Sequence, residues 1–527
     1  MITTCVVAAA SMLLGAVALD EPVPAPNAPG GADVYQRRAA DWRNGAVVYQ
    51  VIVDRFAPPA DLDAKLHLYQ APRVLKKWTD PAVGGVRLPE VGVWSHEIEF
   101  WGGDLQSVRS KLGYVKDLGV DVLYLNPIHD AFTNHKYDAR DYFKVSPEYG
   151  SRADVKALAD DTHAAGMKLV LDGVFNHMGR RADWFLAGQS DPASPYADYF
   201  VFGKQFANGY RAWANVVNLP ELNLENPSLR ARLWGDPDSV VQGYLRQEGI
   251  DGWRLDVAYD IGHDYLAELT QAAHAAKPGS LVIGEIWTHP QSWMPAVDGL
   301  INFHAREIIL RAATGRIDPR QASEMLSVMI QDTGIEPLLK CWLLLDNHDT
   351  ERVATLLPEA AERRLAQVLQ FTLPGSPNIY YGSELGMAGG SDPANRGPMD
   401  WSKTTEDNPE LRWIKKLISL RKELPALRVG DIRFSPNEKL IAFSRYTDKA
   451  KETVIVVVNP TAKDVRETVS PRVSTLMSYS TVIDVLDGSE TLVFCGLIDV
   501  TVPAKSARVF KVKPIPPNQY DPYKRIR

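Results

Sequence analysis

Four stretches of this chain share one design: an apolar run that turns abruptly polar and acidic. They are KLVLDGVFNH (Lys168 to His177), DGWRLDVA (Asp251 to Ala258), LVIGEIW (Leu281 to Trp287) and CWLLLDNHDTER (Cys341 to Arg352). Each reads as a short buried strand whose C-terminal end carries carboxylates, amides or histidines. Helical stretches separate these strands. Strands alternating with helices imply a parallel sheet. Polar residues gathered at the C-terminal ends of such strands mark the face on which a (β/α)8 barrel builds its site.

The same alternation continues on either side. AVVYQVIVDRF (Ala46 to Phe56) reads as strand one, VDVLYLNP (Val120 to Pro127) as strand two, INFH near Ile301 as strand six and SPNIYYG (Ser376 to Gly382) as strand eight. Helix one starts at Asp104 and stops at Gly119, and helix two runs from Ser151 to Gly166. Asp104 and Ser151 are suited to cap, and the two glycines to end, these helices. NPSLRARLWGDPDSVVQGYLRQEG reads as helix three, and PELRWIKKLISLRKE, with Pro409 in its first turn, as the last helix. The predicted fold is therefore α/β, a (β/α)8 TIM barrel over 44–427 with an aromatic-rich, loop-like insertion after strand three at about 178–225. Beyond Leu427, KLIAFSRY, ETVIVVVNP, STVIDVLDG and ARVFKVK are short β-branched or alternating runs between Asn, Gly and Pro. They predict a C-terminal antiparallel β-sandwich over 428–514, followed by a mobile tail, 515–527.

Composition narrows the function. The 527 residues carry 58 basic and 65 acidic side chains, a net charge of −7. That balance disfavours a nucleic-acid partner and suits an uncharged substrate. Three cysteines, at 5, 341 and 495, form neither a disulfide framework nor a metal-ligand spacing. Residues 1–19 resemble a secretory signal ending in Ala16-Val17-Ala18, which predicts a secreted or periplasmic protein; without that role for the segment, the protein is cytoplasmic. No Lys or Arg precedes the apolar run. Residues 20–43 read as a Pro/Gly-rich linker. No later run is long enough to span a membrane.

Chemistry follows from Arg254 and Asp256. Residues two apart on a strand share a face, so the guanidinium sits beside the carboxylate and favours its ionised form. Glu285 ends the next apolar strand, and its apolar neighbours predict a desolvated carboxyl suited to donating a proton. Adjacent parallel strands lie about 4.8 Å apart. Two carboxyls on neighbouring strands can therefore reach the separation of about 5–5.5 Å that retaining glycoside hydrolysis needs. Trp287 and Tyr259 lie just past this pair, where aromatic rings can line the acceptor side of a sugar site.

In order and in wording, the four stretches resemble the signature regions of the α-amylase superfamily, glycoside hydrolase family 13. The resemblance spans roughly 44–513 and implies a retaining α-glucan hydrolase. It implies Asp256 as nucleophile, Glu285 as acid/base, and Asp349 as the third carboxylate on the sugar's 2- and 3-hydroxyls. It further implies His177 and His348 as donors to sugar hydroxyls, Arg254 as partner of the nucleophile, and Asp172 as a structural hydrogen-bonding group. NHKYDARDY resembles the family's loop after strand two, which implies that Tyr137 stacks on the sugar at the cleavage point. AGGSDPANR resembles the loop after strand eight, which implies that Asp392 and Arg396 reach glucose units on the non-reducing side.

LPELN (Leu219 to Asn223), NHKYDARDYF and GEIW resemble the neopullulanase, cyclomaltodextrinase and maltogenic amylase group. Fewer than fifty residues precede the predicted barrel, where that group carries an N-terminal β-domain, and Ala258-Tyr259 replaces its Ala-Asn-Glu. Calcium-binding members have an Asp where this chain has Asn223, so the resemblance implies no metal ligand set, no required cofactor and a doubtful place for Ca²⁺. The expected partner is an oligo- or polysaccharide α-glucan: starch, maltodextrin, cyclodextrin or pullulan. Two alternatives stay open: a transglycosylase or isomerase using the same site, and a catalytically silent glucan-binding protein. The three carboxylates argue against the silent one.

Overall fold

The computed structural model describes residues 31–526. Eight parallel strands close into a barrel: β1 (Val48–Val51), β2 (Val122–Leu125), β3 (Lys168–Gly173), β4 (Gly252–Leu255), β5 (Leu281–Ile286), β6 (Gly299–Asn302), β7 (Trp342–Leu344) and β8 (Ser376–Tyr380). Each strand pairs with its neighbours in sequence, and β8 closes on β1. The strands read as continuous apolar runs because both faces are covered. Tyr49, Val51, Leu123 and Leu171 join the cluster that includes the surrounding helices, while Val48, Val122, Val170, Ile283 and Trp342 form a separate cluster inside the barrel. Gln50, Asn126, Asp172, Arg254, Glu285 and His348 are buried polar residues at or beyond the C-terminal halves of these strands. Register aligns them: Arg254 pairs with Asp172 on β3, and Leu255 with Gly284 on β5.

Several local expectations are corrected. Strand one is shorter than predicted, because Val53–Phe56 turns into a helical segment. Its Asp54 carboxylate accepts the backbone N–H groups of Trp101 and Gly102 and so ties down the long loop that follows β1. Helix three is broken: Pro227–Arg230 and Ala231–Gly235 are followed by a turn at Asp236-Pro237 before the helix resumes at Val240. Proline restricts both itself and the residue before it, and Asp236 is accordingly extended (ψ 152°). The insertion after β3 carries a helix, Asp183–Ser190, wrapped in aromatic pairs such as Phe185–Tyr210 and Trp184–Tyr199.

The predicted leader, 1–19, and the first part of the linker lie outside the described residues. The rest of that linker is a helix, Gly31–Ala40, held by Arg38, which pairs with Glu336 at 2.7 Å and Asp431 at 2.9 Å. The tail predicted to be mobile packs instead. Tyr523 is buried, and its hydroxyl hydrogen-bonds Ser480 at 2.6 Å.

The C-terminal region is antiparallel. Its strands are β9 (Asp431–Phe434), β10 (Ile441–Tyr446), β11 (Val454–Asn459), β12 (Val465–Val469), β13 (Thr481–Asp484), β14 (Glu490–Leu492), β15 (Ile498–Val502) and β16 (Ser506–Val512). Six form one sheet in the order β9-β10-β11-β16-β13-β14, and β12 pairs with β15. Ile455, Val457, Val469, Val500 and Phe510 form the core between them. The opposite face of the larger sheet, Ile441, Phe443, Val456 and Val509, belongs to the same core as the barrel helices. Arg445 and Arg421 are fully buried near this junction. Arg445 donates to the carbonyls of Thr372 (2.6 Å) and Gly430 (2.9 Å), and Arg421 to those of Gly45 (3.0 Å) and Phe371 (2.7 Å).

Candidate active site

Strand β4 ends at Leu255, and the next residue is Asp256. Val257 then turns sharply, with φ at +47°, a conformation β-branched residues rarely adopt. The turn aims the Val257 N–H at Glu285, whose Oε2 accepts it at 3.0 Å. Because Leu255 is in register with Gly284, Asp256 and Glu285 stand at the same level on adjacent strands. Both are 6% exposed.

Arg254, fully buried, serves three carboxylates at once: Asp172 at 2.8 Å, Asp256 at 3.1 Å and Glu285 at 2.9 Å. The two carboxyls at the strand ends therefore lie within the span of one guanidinium. Glu285 also accepts from the Trp287 indole at 3.0 Å. The apolar setting predicted for Glu285 is thus a polar socket, because the chain reverses at Val257 and brings a donor to it.

The prediction that Arg254 keeps Asp256 ionised is corrected in part. The pair forms, but burial raises the Asp256 carboxyl well above the usual carboxylate range, with Glu285 and Asp172 adding to the rise and Arg254 opposing it. Burial likewise pushes Asp172 up to about 6, against Arg254 and the Tyr124 hydroxyl. Asp349 is raised by burial, against Arg396 and Arg254. Arg254 is the one guanidinium between Asp172 and Asp256, and burial of both carboxyls beside it favours retention of a proton between them. Such a set can offer one acid and one anion at the same time.

The other predicted residues gather around this pair. Asp349 lies 3.0 Å from His348 Nε2 and 3.3 Å from Arg396, and Arg396 also reaches Asp392 at 3.3 Å. The Tyr137 hydroxyl contacts Asp172 (3.1 Å) and His348 Nε2 (2.5 Å), and its ring lies parallel to the His348 ring at 5.5 Å. His177 Nε2 is 3.8 Å from Asp256, and among the described residues neither of its ring nitrogens has a hydrogen-bond partner. Burial holds His177 down at about 3 and His348 well below its usual range, so both are neutral.

A cleft of about 900 Å³ opens above these groups. It is lined by Asp256, Glu285, Asp349, Tyr137, His177, Asp392, Arg396, Tyr259 and Trp287. Arg254 is buried among the carboxylates of this wall, and His348 lines an adjoining small cavity with Tyr137 and Arg396. Tyr259 (42% exposed) and Trp287 (49% exposed) present their rings to solvent, and Trp287 is stacked on Phe303.

Sequence reasoning missed Trp213, which stacks on His177 from the insertion, and Trp94, Glu97 and His135, which also line the cleft. They come from irregular loops, where no periodicity betrays the direction of a side chain. Among the described residues, no group of three or more His, Cys, Asp or Glu is placed to hold a metal ion. Asn223 donates its amide to the Asp198 carbonyl at 2.9 Å.

Known proteins resemble this chain over most of its length. The family model described as "Alpha amylase, catalytic domain" matches residues 50–409. The chain is 34% identical over 413 residues to neopullulanase 2 of Thermoactinomyces vulgaris, covering 75% of this chain and 65% of that protein. It thus spans just under two thirds of that relative's length. It is 32% identical over 438 residues to the intracellular maltogenic amylase of Bacillus subtilis, covering 79% of this chain and 69% of the relative. A solved cyclomaltodextrinase superposes with a TM-score of 0.76 at 28% identity, over 91% of this chain and 80% of that one. On these matches, together with the closed barrel and its cluster of carboxylates, this chain belongs to the α-amylase family of glycoside hydrolases.

Proposed function

We propose that the protein hydrolyses α-1,4-glucosidic bonds of α-glucans with retention of configuration. The observation that carries this reading is the pair Asp256 and Glu285, level on adjacent strands, sharing Arg254 and opening into a sugar-sized cleft. Glu285 donates a proton to the glycosidic oxygen as the C1–O bond breaks. Asp256, anionic, attacks C1 from the opposite face and forms a glycosyl ester. Water then attacks C1, Glu285 takes its proton, and the ester bond to Asp256 breaks. Asp349 accepts hydrogen bonds from ring hydroxyls, and neutral His177 and His348 bind hydroxyls beside it. Tyr137 offers its ring to the apolar face of the sugar, with Asp392 and Arg396 toward the non-reducing side and Tyr259 and Trp287 toward the acceptor.

The substrates named for the relatives, a neopullulanase, a cyclomaltodextrinase and a maltogenic amylase, favour pullulan, cyclodextrins and maltodextrins as the first to test. Transfer to a sugar acceptor in place of water is the second reading, favoured by the two exposed aromatics on the acceptor side. We further infer that no metal or cofactor is required. The leader assigned to residues 1–19 draws no support from the relative named intracellular, and N-terminal sequencing of the mature protein decides the compartment. No helix among the described residues is long and apolar enough to cross a membrane.

The mechanism is tested by ¹H NMR of fresh product. The α-anomer appears first under retention, and a β-anomer appearing first overturns the assignment. Asp256→Ala is expected to lose turnover by several orders of magnitude while remaining folded, and a near-normal rate refutes its role as nucleophile.

A further inference from the structure

We propose that Gln50 is a positioning residue that fixes the tautomer of His348, so that the imidazole presents an N–H from Nε2 toward Asp349 and the bound sugar. Gln50 lies on β1 with its side chain buried inside the barrel. Its Nε2 is 3.0 Å from Asn126 Oδ1 and 2.8 Å from His348 Nδ1. Its Oε1 accepts from Asn378 Nδ2 at 3.4 Å.

The orientation of each amide follows from its neighbour. Asp172 is the fixed end of the chain, because its Oδ1 is held by the Arg254 guanidinium at 2.8 Å, which can only donate, and its Oδ2 accepts from the Tyr124 hydroxyl at 2.6 Å. The Tyr137 hydroxyl donates to it at 3.1 Å, Asn126 Nδ2 donates to Tyr137 at 3.0 Å, and Gln50 donates to Asn126. Turning the Gln50 amide over would set oxygen against oxygen at Asn126 and nitrogen against nitrogen at Asn378. An amide nitrogen has no lone pair to offer, so His348 Nδ1 must accept from Gln50 and the ring proton sits on Nε2. Both neighbours of Nε2 agree: the Tyr137 hydroxyl at 2.5 Å, its own proton committed to Asp172, and Asp349 Oδ2 at 3.0 Å can each accept from an Nε2–H. The ring is parallel to Tyr137 (7° between planes), which holds its orientation.

The consequence is directional. In the opposite tautomer, a lone pair on Nε2 would face the Asp349 carboxylate and the sugar hydroxyls, and both contacts would turn from attractive to repulsive. Gln50 touches neither of the reacting carboxyls, so it acts only through His348 and Asn126.

The test is a long-range ¹H–¹⁵N correlation spectrum of protein labelled at histidine nitrogens, with His348 assigned by its loss in His348→Gln. Wild type is expected to show Nδ1 unprotonated and Nε2 protonated; the reverse overturns the proposal. Asp349→Asn should keep the same form, because Gln50 still dictates it; loss of that form there shows that Asp349 sets the tautomer and overturns the role of Gln50. Gln50→Glu places an acceptor opposite Nδ1 and should move the proton to it, lowering kcat/KM about 10- to 100-fold, the worth of one hydrogen bond to a charged group. A moved proton with an unchanged rate refutes the positioning role. The effect on rate rests on the hydrolase reading, whereas the tautomer does not. The predicted spectrum from a protein that hydrolyses no glucan would overturn that reading and leave the tautomer assignment standing.

Discussion

Replacing Arg254 with methionine removes the one cation shared by three buried carboxyls while keeping an unbranched side chain of similar reach. In the native site the guanidinium lies 2.8–3.1 Å from Asp172 and Asp256, and 2.9 Å from Glu285. Removing one partner of a buried charge pair typically costs about 3–5 kcal/mol. If about 3 kcal/mol of that falls on the ionised form of Asp256, its pKa rises by roughly two units. The sign is fixed by chemistry: the nucleophile must be anionic, so the acid limb of kcat/KM moves up by about the same two units, and on that limb, below the native pKa, the rate falls roughly 100-fold. Initial rates on a maltooligosaccharide across the pH range, with circular dichroism confirming the fold, measure both effects. An acid limb that stays in place in Arg254→Met refutes the claim that this guanidinium sustains the nucleophile's charge.

Glu285→Gln should slow hydrolysis of natural glucans by about 10²- to 10⁴-fold. An aryl glucoside whose leaving group needs no proton should be slowed far less in the first step, and equal losses on both substrates would remove Glu285 from the acid role. Glu148, buried against Lys136 and Arg73, is pushed down from 4.5 to about 2 by those cations despite its burial. A depressed carboxyl contributes stability above its unfolded pKa and loses it as pH falls toward the folded value. Glu148→Gln should therefore cost about 3 kcal/mol at neutral pH, with the gap to wild type narrowing toward about pH 3; denaturant midpoints that differ equally at both pH values would contradict this. Activity should survive a strong chelator, and a loss restored by Ca²⁺ would overturn the reading of Asn223.

What could be read from the sequence follows from where the physics is local. The barrel strands are legible because strands covered on both faces must be apolar throughout, and Asp256 and Glu285 stand out as charges at the ends of such runs. Gln50 is hidden for the complementary reason: it sits mid-strand among valines, and its importance lies in His348, nearly three hundred residues away. The same distance hides the helix Gly31–Ala40, whose anchor Arg38 finds partners at Glu336 and Asp431. The left-handed Val257 carries no glycine signal, because the surrounding contacts impose the conformation on a residue that disfavours it. Trp94 and Trp213 reach the cleft from loops whose course depends on contacts distant in sequence.

The larger C-terminal sheet shares its apolar inner surface with the barrel helices, and this bears on how such an enzyme can be dissected. Cutting the chain after residue 427 would strip cover from the flank that Ile441, Phe443, Val456 and Val509 now shield. Each fully buried side chain of that kind is worth about 1.5–3 kcal/mol. It would also remove Arg445 from the carbonyl of Thr372. A minimal catalytic fragment ending there would be sticky and short-lived. A chimera that swaps the C-terminal lobe with that of a relative must transplant both sides of the seam together.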